Sequence, residues 1–342
     1  MAAMVRCRRI KELRFRKPDG SLIALEVPSA LNQDLLVHAD RREYVVLPVV
    51  TGRSVAESEV ATLKLGSDIV GFLIPGQTIL SPDQRLNSDR LFGTYSLIAA
   101  MEVCRSSHAG NYTLASPSVV ASDSPGPVFH EGVFYLVAWL KKLDVASDSF
   151  LDQYFVSLAR AGICSFIQGS KPLQTRRTRS SYMEPIALKR NQNWPEYVKT
   201  IFSELAPHAA DPFLRFFYLY QVIETLMGDK YRSALGPILN DFKAEGDLSV
   251  SQLRDYIEKF QGVYREKPRI NAALSPVCTG CEDSAKRLLV ALGEKTEVPF
   301  GELIYKVRNI IFHDYSRVHA HSALVADLED FLASYLIEQH LS

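Results

Sequence analysis

The 342-residue chain has no excess of charge of either sign, because lysine plus arginine and aspartate plus glutamate both total 39. A general nucleic-acid coat needs a positive surface, so any RNA contact must come from local patches. No apolar run of about 18 residues is present, and none follows the basic segment 6–11, so we expect neither a membrane span nor a secretory signal. Cysteine is scarce. An odd count of five favours the reduced thiols of a cytoplasmic protein over a disulfide framework.

The first part of the chain, up to residue 195, mixes strand and helix patterns. A hairpin is predicted over 15–27, because proline presets its turn at 17–20 and glycine accepts a positive φ. Apolar runs at 43–50 and 69–74 predict strands. Helices are predicted over 54–65, 87–105, 129–143 and 149–163. Residues 1–195 are therefore predicted to form a mixed α/β domain, which resembles no particular family.

From residue 196 onward, helical patterns dominate. Asp211 and Pro212 predict a helix start, because aspartate caps free amides and proline fits the first helical position. The apolar residues at 213–227 recur at helical spacing, and Gly228 suits a C-terminal cap. Further helices are predicted over 251–264, 282–292, 299–312 and 322–341. Short connections favour antiparallel neighbours, so 196–342 is predicted to be an all-α bundle and the whole chain an α+β protein.

One of these helices ends in a distinctive polar motif. Arg308 is followed by Asn309 and, five positions after the arginine, by His313; none of the other seven histidines has an arginine five to seven positions before it. This Arg-Asn-x-x-x-His pattern in a helical bundle resembles the HEPN superfamily of ribonucleases. The aromatic segment 217–224, which ends in a glutamate, resembles the Apea-like HEPN group associated with bacterial defence. The resemblance covers 196–342 only.

The two residues of the motif suit RNA cleavage without a metal. A 2′-hydroxyl attacks phosphorus, histidine handles the protons near neutral pH, and arginine stabilises the charge on the phosphorane. Positions 308 and 313 lie about 140° apart on an ideal helix, so we expect His313 at the helix end or in the next loop, turning back. The resemblance implies a homodimer in which both motifs line one cleft.

Other polar residues have open interpretations. Glu224 is a candidate for orienting Arg308 or His313, or else it pairs with Lys230 or Arg215. Asn309 is a candidate for contacting phosphate or holding Arg308, or else it is simply exposed. The cysteines at 278 and 281 lack two further ligands in the sequence, so we predict a loop that enters a helix and no metal or cofactor. A basic segment either guides RNA or an anionic signal, or is an exposed linker; its cations are Lys171, Arg176, Arg177 and Arg179.

Taken together with the resemblance, these patterns predict a cytoplasmic, metal-independent endoribonuclease. The expected role is that of a toxin or anti-phage effector, with residues 1–195 sensing or regulating and a phage-derived trigger as a candidate partner. Two alternatives remain open. One is a non-catalytic HEPN scaffold that binds a nucleotide or a partner protein. The other is a toxin controlled by a separate antitoxin.

Overall fold

A computed structural model describes residues 12–16, 22–26, 43–52, 60–79, 89–108, 132–167, 185–190 and 194–341. The chain divides into two compact units, Met1–Pro195 and Glu196–Ser342. The first unit combines sheets with helices, and the second, over its described residues, contains helices and no strand. The predicted α+β fold class is confirmed.

The strands of the first unit form a hairpin and a six-stranded sheet. In the hairpin, β1 (Glu12–Arg16) pairs antiparallel with β2 (Leu22–Glu26), as predicted, and the turn at 17–21 lies outside the described residues. The sheet contains β3 (Tyr44–Thr51), β4 (Ala61–Leu65), β5 (Asp68–Pro75), β6 (Phe134–Trp139), β7 (Ile163–Ser165) and β8 (Ile186–Ala187). Its order is β7-β3-β6-β5-β4-β8, and all neighbours are antiparallel except β4 and β8. Strands β3 and β5 confirm the predicted apolar runs.

Among the described residues, three α-helices accompany this sheet, α1 (Arg90–His108), α2 (Leu140–Leu143) and α3 (Phe150–Arg160), together with a 3-10 turn at Gly76–Thr78. The helices predicted over 87–105 and 149–163 are confirmed by α1 and α3. The two other predicted helices are wrong where the structure describes them. Residues 61–65 form strand β4. Of the described residues 132–143, Phe134–Trp139 form the central strand β6 and only Leu140–Leu143 (α2) are helical.

The misreading of β6 has a physical cause in its surroundings. Alternate side chains of this strand enter two different apolar clusters: Leu136 packs in the cluster that contains Tyr154 of α3, and Val137 packs in the cluster that contains Tyr95 of α1. Because both faces are buried, the strand is a continuous apolar run without alternation. Such a run cannot be told from a buried helix by periodicity alone.

The second unit consists of consecutive helices with short connections. They are α4 (Glu196–Thr200), a π-helical turn (Ile201–Leu205), α5 (Ala206–His208), α6 (Pro212–Ala244), α7 (Val250–Tyr264), α8 (Glu266–Ala273), α9 (Thr279–Ala291), α10 (Phe300–His313), α11 (Tyr315–Val318), α12 (Ser322–Tyr335) and a π-helical end (Leu336–Leu341). Helices α7, α9, α10 and α12 confirm the four predicted after residue 250, whereas α8 was not predicted. No helix of the described residues is long and apolar enough to cross a membrane.

Helix α6 starts as the sequence predicts and ends elsewhere. The Phe213 backbone N–H donates to the Asp211 carboxylate at 3.0 Å, and Pro212 occupies the first turn. The predicted stop at Gly228 is wrong, because the helix continues to Ala244. A glycine inside a helix costs only about 1 kcal/mol relative to alanine, and packing against α7, α8 and α12 outweighs that cost.

Candidate functional site

Helix α10 carries the polar motif at its C-terminal end. Leu303, Ile304 and Val307 are fully buried and anchor the helix, whereas Arg308 is half-buried. His313 is exposed and is the last residue of the helix, as expected. The backbone N–H of Asp314 donates to the Ile310 carbonyl at 2.8 Å and completes the final turn. Helix α11 begins with the next residue.

Arg308 is held by two aromatic rings and one amide. Its guanidinium carbon lies 4.8 Å from the centre of the Phe312 ring and 5.6 Å from that of Tyr220, which comes from α6. One terminal nitrogen donates to the Asn309 side-chain oxygen at 3.0 Å, and the Nε atom is buried without a hydrogen-bond partner. Within the described residues no carboxylate pairs with Arg308. The guanidinium is thus fixed in place while its charge stays uncompensated.

Tyr220 is the buried support beneath this arginine. Only 2% of the residue is exposed, and its hydroxyl has no hydrogen-bond partner among the described residues. Burial raises the pKa of the Tyr220 hydroxyl, the carboxylates of Glu266 and Glu224 raise it further, and Arg308 opposes them. The neutral phenol of Tyr220 therefore lies beside the permanent cation of Arg308, and the carboxylates of Glu266 and Glu224 are close enough to affect the pKa of the phenol.

Glu224 lies on the exposed side of this group. It follows Tyr220 by one helical turn, and among the described residues it forms no ion pair with Lys230 or Arg215. Arg215 pairs with Glu329 instead. Of the alternatives for Glu224, pairing with these two cations is wrong, and its electrostatic interaction is with Tyr220.

His313 and Arg308 do not meet within one chain. In the part of the chain that the structure describes, His313 forms no hydrogen bond, ion pair or ring contact. Since it remains helical, it points about 140° away from Arg308 around the axis. The expectation that His313 turns back towards Arg308 is wrong for the single chain.

Aromatic side chains surround the end of α10, and the sequence does not indicate how they pack together. Phe312 packs against Phe217 of α6, with ring centres 5.5 Å apart. Tyr315 packs edge-on against Phe213 at 5.0 Å and against His319 at 5.5 Å. We call these five residues the aromatic cluster. The sequence shows their helical spacing within 213–217 and within 312–319. Only the packing of α6 beside α10 and α11 brings these two segments together.

A buried ion pair was also missed. Arg215 of α6 contacts the Glu329 carboxylate of α12 through two nitrogens, and it also donates to the carbonyls of Ala209 at 2.8 Å and Ala210 at 3.2 Å. Glu329 is 4% exposed. Burial raises the pKa of its carboxyl to about 7, and the Arg215 guanidinium limits that rise. The pair joins α12 to the start of the helix that supports Arg308.

The cysteine pair has a structural role outside this site. The Cys278 sulfur accepts from the backbone N–H of Cys281 at 3.3 Å and caps α9, as the interpretation of a loop entering a helix predicts. No group of three or more potential metal ligands occurs among the described residues. The basic segment with Lys171, Arg176, Arg177 and Arg179 lies outside them.

Comparison with known proteins gives no match: no protein family, no curated protein and no solved structure matches this chain. The features of this chain that bear on function are therefore the motif, the helical unit that carries it and the geometry around Arg308.

Proposed function

We propose that this chain is a metal-independent endoribonuclease of HEPN type that cuts RNA with Arg308 and His313. The observation that carries the proposal is the state of Arg308, which two rings and one amide hold in place while no described carboxylate neutralises it. A fixed guanidinium with an uncompensated charge suits a phosphate oxygen. An exposed histidine at the end of the same helix supplies a group for proton transfer.

Histidine and Arg308 supply the proton transfers and the charge stabilisation that this RNA cleavage requires. The 2′-oxygen of the substrate attacks the adjacent phosphorus, forming the new O–P bond, and its proton passes to a neutral histidine. The bond from phosphorus to the 5′-oxygen breaks, and a protonated histidine supplies the proton to that oxygen. Arg308 donates to the phosphorane oxygens while the charge develops. The products are a 2′,3′-cyclic phosphate and a free 5′-hydroxyl.

A two-fold homodimer completes the site in this proposal. One copy of the motif offers a single histidine, which lies on a different side of α10 from Arg308. Two copies related by a two-fold axis supply one histidine as base and one as acid, beside two arginines. The apolar residues of 213–227 add no support for the dimer. The single chain already buries Phe213, Phe216, Leu219, Tyr220, Val222, Ile223, Leu226 and Met227.

The biological role follows from the resemblance. We propose a cytoplasmic toxin or anti-phage effector whose first unit senses a trigger, such as a phage-derived molecule, or regulates the second unit. An RNA-cutting enzyme must be held inactive in a healthy cell, and a regulatory unit in the same chain or a separate antitoxin would do this.

The decisive experiment compares wild type with Arg308→Ala and His313→Ala on purified RNA. Both variants should lose at least about 100-fold in cleavage rate, since charge stabilisation and proton transfer each contribute that much. Arg254→Ala and His321→Ala are matched controls that remove the same residue types elsewhere in the unit, and they should cleave like wild type. Far-UV circular dichroism confirms that all four variants fold. Full activity in His313→Ala contradicts the proposal.

The second candidate is a non-catalytic scaffold that binds a nucleotide or a partner protein. The observation that favours it is the lack of any described partner to orient His313, since a catalytic base is normally held by a third group. Expression in cells separates the two. A nuclease inhibits growth and degrades RNA unless His313 is replaced, whereas a scaffold leaves RNA intact in both cases.

A further inference from the structure

Two exposed aromatic residues flank the candidate catalytic histidine. Phe312 is 41% exposed and Tyr315 is 47% exposed, and they lie one residue before and two residues after His313. Large aromatic side chains contribute to stability mainly when they are buried, so exposed rings on both sides of a candidate site need another explanation.

Neither ring moves freely, because other rings brace both of them. Phe312 rests against Phe217 at 5.5 Å and beside the Arg308 guanidinium at 4.8 Å. Tyr315 is held between Phe213 at 5.0 Å and His319 at 5.5 Å. A side chain that packing has already ordered loses little entropy when a ligand stacks on it, so these exposed surfaces are preorganised for binding.

The charge beside the rings indicates what they bind. An apolar protein surface docked over Phe312 would also cover Arg308, which has no carboxylate partner among the described residues, and would leave its charge buried and unpaired. Single-stranded RNA avoids that penalty. Each nucleotide brings a phosphate for the guanidinium and an unpaired base with a flat apolar face for the ring.

We propose that Phe312 and Tyr315 form a base-stacking platform for unpaired nucleotides next to the phosphate bound at Arg308. The inference rests on the proposed ribonuclease function and adds a substrate class to it, namely single-stranded RNA. A base in a duplex is stacked and paired, so it cannot lie on these rings. The enzyme is therefore selective for unpaired segments, and the rings hold the chain across His313.

Binding is tested without cleavage by placing each variant in full-length His313→Ala protein. Fluorescence anisotropy reports the Kd for a labelled single-stranded RNA oligonucleotide. Phe312→Leu and Tyr315→Leu should each weaken binding about 5- to 150-fold, the range for one base stacked on an aromatic ring. Phe312→Tyr and Tyr315→Phe keep a ring and should bind like the parent. For the same RNA in a duplex, the Kd should be the same in the leucine variants as in the parent.

Two controls isolate stacking from other effects. Phe331→Leu removes a phenylalanine of similar exposure, 45%, from α12 and should leave the Kd unchanged. The dependence of the Kd on salt separates base from phosphate contacts: Arg308→Ala should reduce the slope by about 1, whereas the two leucine variants should not change it. A reduced slope in Phe312→Leu would mean that the ring acts only through Arg308, and it would overturn the platform.

The outcomes keep the platform separate from the ribonuclease proposal. If wild type cleaves RNA but both leucine variants bind like the parent, the platform is wrong and the proposed function stands. If the ring variants lose binding but wild type cuts no RNA, the platform stands and the nuclease proposal fails. No binding of single strands by the parent overturns the platform. So does dissociation of dimers into monomers in the leucine variants, because the rings would then hold copies together.

Discussion

Replacement of Glu329 by glutamine tests whether the buried ion pair with Arg215 stabilises the protein. Glutamine has the shape of the protonated acid, so Glu329→Gln keeps the side chain at 329 uncharged beside the Arg215 cation at every pH. Burial raises the pKa of the wild-type carboxyl from 4.5 to about 7, despite its contacts with Arg215. Since the residue is 4% exposed, solvent screening does not diminish the effect. A rise of this size corresponds to about 3 kcal/mol that opposes ionisation in the folded state.

The sign of the pH dependence follows from proton counting. Between pH 4.5 and about 7, folded Glu329 keeps a proton that the unfolded chain has lost, so the free energy of unfolding falls as the pH rises. Above about pH 7 both states are ionised and the loss is complete. Wild type and Glu329→Gln should therefore be about equally stable at pH 5. At pH 8 the glutamine variant should be more stable by about 2–3 kcal/mol.

Urea denaturation of the full-length proteins, followed by far-UV circular dichroism from pH 5 to pH 8, measures the difference. Glu258→Gln is the control, because this exposed glutamate pairs with Arg254 on the surface of α7 and should change stability by less than about 1 kcal/mol at any pH. The opposite result refutes the reasoning. If Glu329→Gln is destabilised by about 3–5 kcal/mol at pH 8, the contacts with Arg215 outweigh burial and the pKa of Glu329 lies below its ordinary value.

Three further predictions concern the site itself. Cleavage should continue in EDTA and leave 2′,3′-cyclic phosphate ends, which mass spectrometry of the fragments identifies; 3′-hydroxyl ends would require another mechanism. Light scattering on the full chain should give the mass of a homodimer, and a monodisperse monomer that cuts RNA would refute the shared cleft. Tyr220→Phe should cleave like wild type and be at least as stable, because it keeps the ring under Arg308 and removes a buried hydroxyl without a partner. Tyr220→Leu should lower the cleavage rate without unfolding the bundle, and a rate equal to that of Tyr220→Phe would show that the ring is irrelevant.

Helical periodicity and caps predict five helices of the second unit, because each of these five carries a local signal, whereas α8 was not predicted. Asp211 and Pro212 mark the start of α6, and apolar spacing marks α7, α9, α10 and α12. The end of α6 is not predictable in this way. Gly228 is compatible with a helix end, but tertiary packing stabilises the helix beyond this residue. Strand β6 is harder still, since a strand buried on both faces has no alternation.

The motif at Arg308 and His313 can be found from sequence, but the environment of Arg308 cannot. Its contacts with Phe312 and Asn309 are local and follow from helical spacing. The contact with Tyr220 depends on how α6 packs against α10, and no sequence pattern indicates that packing. The same holds for Arg215 and Glu329, which lie on helices far apart in the chain.

Arg215 and Arg308 have opposite surroundings, and this difference bears on function. Arg215 is compensated by Glu329 and two backbone carbonyls, which is what a structural cation in the interior requires. Arg308 is half-buried as well, but it receives two aromatic rings and a neutral amide. A ring attracts a cation by about 0.5–2 kcal/mol without neutralising it. The carboxylates of Glu224 and Glu266 influence the pKa of Tyr220, yet among the described residues neither forms an ion pair with Arg308. We therefore propose that the charge of Arg308, which no described carboxylate neutralises, binds a phosphate of single-stranded RNA.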